Sequence, residues 1–193
     1  SSTMVTGDLG PSSGYAVFTV TPSVSAGFDL WIAPMTALDK PEPFATERYV
    51  ESMPRVSPDG RFVAFVSSRT GASEIYIRQL PRGGDEVRVS AAGGVDPVWA
   101  PNGRSLYYRT EDSIHVAELS FDPRVTLVGR RGLLPLDRRL MMSVSNGSYD
   151  ILPSGREFVM FERWTAATST GTPIVIRMDW ARTLRPTPTA DLP

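Results

Sequence analysis

The segment Met53-Pro-Arg-Val-Ser-Pro-Asp-Gly-Arg-Phe-Val-Ala-Phe-Val-Ser-Ser-Arg69 decides how the rest of the chain is read. It is a short strand, a tight turn and a second strand. Pro58 fixes φ near −65° at the first corner, Asp59 tolerates the bridge region, and Gly60 takes the left-handed conformation that closes a short hairpin loop. Beyond the turn, Phe62, Ala64 and Val66 share one face while Val63, Phe65 and Ser67 share the other. Both faces are largely apolar. A strand of this kind belongs to a sheet covered on both sides, as in a stack of sheets.

The corner recurs along the chain. Ser57-Pro-Asp-Gly-Arg61 is followed by Ala100-Pro-Asn-Gly-Arg104 and Leu152-Pro-Ser-Gly-Arg156, and Gly10-Pro-Ser-Ser-Gly14 is a looser first copy. The prolines at 11, 58, 101 and 153 stand 47, 43 and 52 residues apart. Around each corner lie about four short strand patterns. A period in the forties with four strands per unit is the signature of propeller blades, so the expected fold is all-β, a partial β-propeller. The blades span about 3–48, 49–93, 94–146 and 147–186 of one domain, 1–186, and 187–193 is an extended C-terminal tail. In the first unit the strands are Met4–Asp8, Tyr15–Val20, Asp29–Pro34 and Pro43–Thr46. The second unit gives Pro54–Ser57, Arg61–Ser67, Glu74–Leu80 and Glu86–Ser90. The third gives Asp96–Ala100, Ser105–Arg109, Ser113–Leu119 and a loose element near Thr126–Leu134, and the last gives Tyr149–Leu152, Glu157–Glu162 and Pro173–Asp179. Segments Leu133–Gly147 and Thr165–Thr172 read as long loops, and Asp179–Leu184 allows one helical turn at most.

Composition narrows the function classes. The net charge is −1, and Lys40 is the only lysine among the 20 basic residues. No basic field exists for nucleic acid. No apolar run is long enough to span a membrane, so no membrane contact is expected from this chain. No secretion signal is visible at Ser1-Ser-Thr-Met-Val-Thr-Gly7, and the opening serine suggests a chain cut from something longer. Without cysteine, disulfides and thiolate metal sites are excluded.

Catalytic motifs are missing too. His115 is the sole histidine, flanked by Ile114 and Val116 within a strand, and one histidine supplies neither a metal triad nor two-base chemistry. There is no Gly-x-Ser-x-Gly elbow, glycine-rich phosphate loop, His-Arg-Asp or Asp-Phe-Gly. The expectation is a non-enzyme with no cofactor and no metal. Aromatic residues on the strands read chiefly as inter-blade core. Trp99 and Tyr149 fall on innermost strands, where they have a second reading as channel-lining contacts for a ligand. Arg138 and Arg139, with Arg130 and Arg131 on the other side of the same insert, read as a solvated loop or as an anion or partner contact at the propeller mouth.

The repeats Pro54–Ser68 and Asp96–Tyr108 resemble the WD40-like repeats of the TolB-like six-bladed propeller superfamily. Within it, Asp29–Pro34, Asn146–Met160 and Pro173–Trp180 are similar to strand motifs of the C-terminal propeller attached to bacterial serine/threonine protein kinases. Asn102 and Ser154 replace the turn aspartate of that pattern; Asp179 and Ala181 stand where it has asparagine and an aromatic residue. The resemblance implies that about four of six blades are present and that the missing N-terminal blades belong to the parent chain. It further implies a sensor or protein-interaction module, extracytoplasmic or periplasmic and tethered through a membrane segment elsewhere in a receptor-like kinase. A protein or small-molecule ligand would bind at the propeller mouth. Two alternatives are the propeller of a prolyl-oligopeptidase-type hydrolase and a TolB-like periplasmic scaffold.

Overall fold

Four-stranded meanders repeat along the computed structural model, which describes residues 3–21, 27–81, 83–136, 149–155 and 157–160. Blade 1 contains β1 (Thr3–Gly10), β2 (Tyr15–Thr21), β3 (Asp29–Pro34) and β4 (Glu42–Ala45). Blade 2 contains β5 (Glu51–Val56), β6 (Phe62–Ser67), β7 (Glu74–Gln79) and β8 (Glu86–Arg88). Blade 3 contains β9 (Val95–Trp99), β10 (Ser105–Arg109), β11 (Ser113–Ser120) and β12 (Thr126–Pro135). In blade 4 the described residues form the pair β13 (Tyr149–Ile151) and β14 (Phe158–Met160). Every pairing is antiparallel, and strands lie in each sheet in chain order.

The double-sided burial expected of the second strand is present. All six residues of β6 are buried. Phe62, Ala64 and Val66 join Ile75, Ile77, Trp99, Leu106 and Tyr108 in a core between blades 2 and 3. Val63 and Phe65 join Val17, Leu30, Ile32 and Tyr76 in a core between blades 1 and 2. A third core holds Val98, Tyr107, Ile114, Tyr149 and Phe158 between blades 3 and 4. At about 1.5–3 kcal/mol per fully buried large apolar side chain, these shared seams are the main source of stability. A single sheet could not supply them, because half of each strand would face water.

The corners hold their expected geometry. Gly60, Gly103 and Gly155 have φ of 74°, 67° and 67°. Ser57 N–H receives a partner in Phe62 O at 2.8 Å, while Phe62 N donates to Ser57 Oγ at 3.0 Å. A Cβ on Gly60 would lie 2.4 Å from Ser13 N, so the corner of blade 2 rests directly on the corner of blade 1.

Some boundaries differ from the sequence reading for tertiary reasons. β5 starts at Glu51, ahead of the expected Pro54, because Glu51 and Ser52 pair with Ser67 and Val66 of β6; Glu51 N also donates to Phe28 O of blade 1 at 2.8 Å. The loose element becomes the ten-residue β12, which includes Leu133–Pro135 from the expected loop. Leu133 and Leu136 anchor that end in the seam with blade 4. Met53 and Asp96 have left-handed φ of 54° and 53°, each just before a proline. Both sit where the inner strand slips register against its neighbour. The segment Pro173–Asp179, the turn at Asp179–Leu184 and the tail 187–193 lie outside the described residues.

Candidate binding surface

At the corner end of the sheets, the motif pairs an arginine with its own turn aspartate. Asp59 Oδ1 accepts from Ser57 Oγ at 2.6 Å and from Arg61 N at 3.1 Å, while its Oδ2 accepts from Arg61 Nε at 2.7 Å. Partial burial raises the Asp59 pKa, and the hydrogen bonds from Ser57 and Arg61 outweigh it, leaving the carboxyl below its ordinary value. The Arg61 guanidinium lies 5.4 Å from the Phe62 ring centre and 5.8 Å from that of Phe121. It is held by one carboxylate and two rings.

The next corner is built the same way with one difference. Asn102 Oδ1 accepts from Arg104 N at 2.9 Å, copying the backbone bond of Asp59. An amide carries no charge, so Asn102 offers the arginine side chain no ion pair. Arg104 makes no ion pair among the described residues. Between these two corners and the β11–β12 connection lies a groove of about 660 Å³. Pro58, Pro101, Leu119 and Phe121 supply its apolar lining, and Arg61, Arg104, Asp59 and Asp122 its charges.

At the opposite end the seams contain buried carboxyls. Glu51 is fully buried, and its Oε1 accepts from Ser67 Oγ at 2.9 Å. Burial, resisted by the Ser67 bond and reinforced by nearby Glu47, raises its pKa to about 7. Glu74 accepts hydrogen bonds from Ser90 Oγ and from Gly93 N. Asp96 Oδ2 lies 3.2 Å from Arg109 Nε. Arg78 ties blade 2 to blade 1, donating to Phe44 O at 2.6 Å and to Glu47 Oε1 at 2.9 Å.

The two aromatic candidates are placed in the seams and not on an open channel. Trp99 is 7% exposed, and its Nε1 donates to Arg55 O at 2.9 Å. Tyr149 is 2% exposed, and its hydroxyl donates to Asp96 O at 2.9 Å. Both are closed off from solvent, and both polar atoms are used by the preceding blade. Arg138 and Arg139 lie outside the described residues. Arg130 and Arg131 fall on β12, where Arg130 Nη1 donates to Val89 O at 3.2 Å. His115 stacks on Tyr108 with ring centres 5.1 Å apart, and burial holds its pKa below the ordinary value.

Sequence reasoning missed the groove and Glu51. The repeated arginine after each corner glycine was the available signal for the groove, since a recurring cation on a recurring turn must cluster. Glu51 carries only a weak signal, a carboxylate opening a strand whose other residues are mostly uncharged.

Comparison with known proteins supports the fold alone. No family model matches the chain, and no curated protein matches it. Among solved structures, TolB from Acinetobacter baumannii is similar with a TM-score of 0.58 at 16% identity, over 82% of this chain and 37% of that one. The β-propeller domain of the Trilobed protease from Pyrococcus furiosus gives 0.54 at 10% identity, over 88% and 66%. A structure from a study of two prolyl endopeptidases gives 0.53 at 14% identity, over 83% and 26%. The chain therefore spans little more than a third of the TolB it matches. Its fold is a partial β-propeller.

Proposed function

We propose that this chain is a non-catalytic recognition module, and that the groove between blades 2 and 3 takes an extended segment of a protein partner. The observation that carries this reading is Arg61, paired with Asp59, beside Arg104, which makes no ion pair among the described residues, in a groove partly lined by Pro58, Pro101, Leu119 and Phe121. Apolar surface interrupted by fixed charges of both signs suits a peptide, which offers carbonyls, amides and side chains at regular spacing. Holding Arg61 in place before binding reduces the ordering cost. The chain is further read as the extracytoplasmic part of a six-bladed propeller in a receptor-like serine/threonine kinase, supported by its resemblance to the propellers attached to those kinases.

A random phage-displayed peptide library panned on the full chain tests the groove. Peptides should be enriched, and both Arg104→Ala and Phe121→Ala should weaken their binding by about tenfold or more. Enriched peptides that bind the variants unchanged, or no enrichment at all, would overturn the reading. The parent reading frame tests the kinase association. An upstream kinase domain supports it, while a Gly-x-Ser-x-Gly domain downstream selects a prolyl-oligopeptidase-type hydrolase. A signal peptide close upstream with no kinase selects a periplasmic scaffold.

A further inference from the structure

We infer that the seam between blades 1 and 2 is a proton-controlled joint, closed while the Glu51 carboxyl is neutral and loosened when it ionises. Glu51 stands at the joint itself. Its backbone N–H donates to Phe28 O of blade 1 at 2.8 Å, and its side chain is fully buried. One carboxyl oxygen has the Ser67 hydroxyl, while the other, Oε2, is buried with no hydrogen-bond partner among the described residues. A neutral carboxyl tolerates such a place at modest cost. An ionised one leaves a charged oxygen unsolvated, which is strongly unfavourable until water is admitted.

The charges around Glu51 relieve it only in part: Arg69 lowers its pKa, while Glu47 and Asp29 raise it. From blade 1 come two acids, Asp29 on β3 and Glu47 in the β4–β5 connection. Glu47 stays ionised: burial raises its pKa, but the hydrogen bond from Arg78 prevails and holds it below its ordinary value. Asp29 is itself raised by burial and by Glu47. From blade 2 comes one cation, Arg69, in the β6–β7 connection. Its Nε donates to Ser67 Oγ at 3.1 Å and its Nη1 to Glu86 Oε1 at 2.6 Å, and the guanidinium lies 4.2 Å from the Tyr76 ring centre. Arg69 Nη2 is buried without a hydrogen-bond partner among the described residues, so it forms no bond to Glu51 Oε2. Arg78 is committed to Glu47, Glu86 and Phe44 O.

The geometry makes the response local. At the other end of the same seam, Val56 N donates to Asp8 Oδ2 at 2.8 Å, and the corner of blade 2 sits on Ser13. Those ties do not involve Glu51. Ionisation therefore opens the Phe28–Glu51 end and leaves the corner end joined, a hinge within the stack. The pKa near 7 puts the transition close to neutral pH.

Residue-resolved hydrogen exchange on the full chain, from pH 5.5 to 8.5 and corrected for intrinsic rates, tests this. The Glu51 amide should lose protection about tenfold or more with a midpoint near pH 7, while the Val56 amide stays constant. Glu51→Gln should flatten the Glu51 profile. Should that variant fail to fold, Glu47→Gln serves, because removing the neighbouring negative charge should move the midpoint to lower pH. Protection of the Glu51 amide that does not change with pH would overturn the proposal. So would a midpoint unmoved in Glu47→Gln, or a wild-type response in which Arg69 swings onto Glu51 and protection rises.

Discussion

The indole Nε1 of Trp99 donates a hydrogen bond to the main-chain oxygen of Arg55 across the seam between blades 2 and 3, at 2.9 Å. The Tyr149 hydroxyl does the same for Asp96 across the next seam, and Val56 N does it for the Asp8 carboxylate across the first. Each inner strand is thus bonded to the one before it. Apolar contact supplies most of the energy between sheets but little direction. The polar bonds that cross each seam fix how the inner strands align.

Tyr149→Phe removes one of these bonds and little volume. It should destabilise the chain by about 1–2 kcal/mol in urea unfolding, since Asp96 O is left without that buried donor. An unchanged midpoint would show that blade 4 does not dock on blade 3 in this way.

Trp99→Phe should cost more, about 2–3 kcal/mol, because it forfeits the bond to Arg55 O and also opens space in the core shared by blades 2 and 3. Trp99→Ala should cost still more in the same denaturation experiment.

Gly60 and Gly14 have nearly the same φ, 74° and 73°, in different surroundings. A Cβ on Gly14 meets nothing within 4 Å, whereas one on Gly60 meets the Ser13 backbone. Gly14→Ala should therefore cost about 1 kcal/mol from backbone strain alone. Gly60→Ala should exceed it by a further 1–2 kcal/mol or so, because two blade corners must part. Equal costs would mean that those corners do not touch.

Glu51 sets a pH dependence of stability. Below its ordinary pKa of 4.5 the carboxyl is protonated folded or unfolded and contributes nothing. Between 4.5 and about 7 the folded chain keeps a proton that the unfolded chain has released, so stability falls as pH rises. Above about 7 the loss levels off, at up to about 3 kcal/mol for a fully buried group. Glu51→Gln should flatten that slope in thermal melting and make the chain more stable than wild type at pH 8.

The fold was legible because its signals are local. The proline–glycine corner and the two-faced apolar run of β6 are each complete within a few residues, and their recurrence gives the repeat. Trp99 and Tyr149 were harder. Period-2 alternation assigns a side chain to one face of a strand, but in a stack of sheets every face is covered, so alternation does not separate seam from channel. The ten-residue length of β12 depends on Leu133 and Leu136 finding blade 4, a contact far away in sequence. Met53 and Asp96 adopt left-handed φ before proline, against their local preference, because the inner strand must slip register there. Glu51 was missed since nothing nearby in sequence announces that Phe28 O and Ser67 Oγ become its partners.

Ring-to-ring nuclear Overhauser contacts in the full chain test the stacked-sheet account most directly. Phe62 and Phe65 lie three residues apart on one strand and should report opposite neighbours. Phe65 should contact Phe44 of blade 1, with ring centres 6.4 Å apart, and Phe62 should contact Phe121 of blade 3, at 5.0 Å. Finding both contacts, with none between Phe62 and Phe44, is the predicted result. Phe62 and Phe65 both contacting the same neighbouring sheet, or neither contacting any, would contradict it.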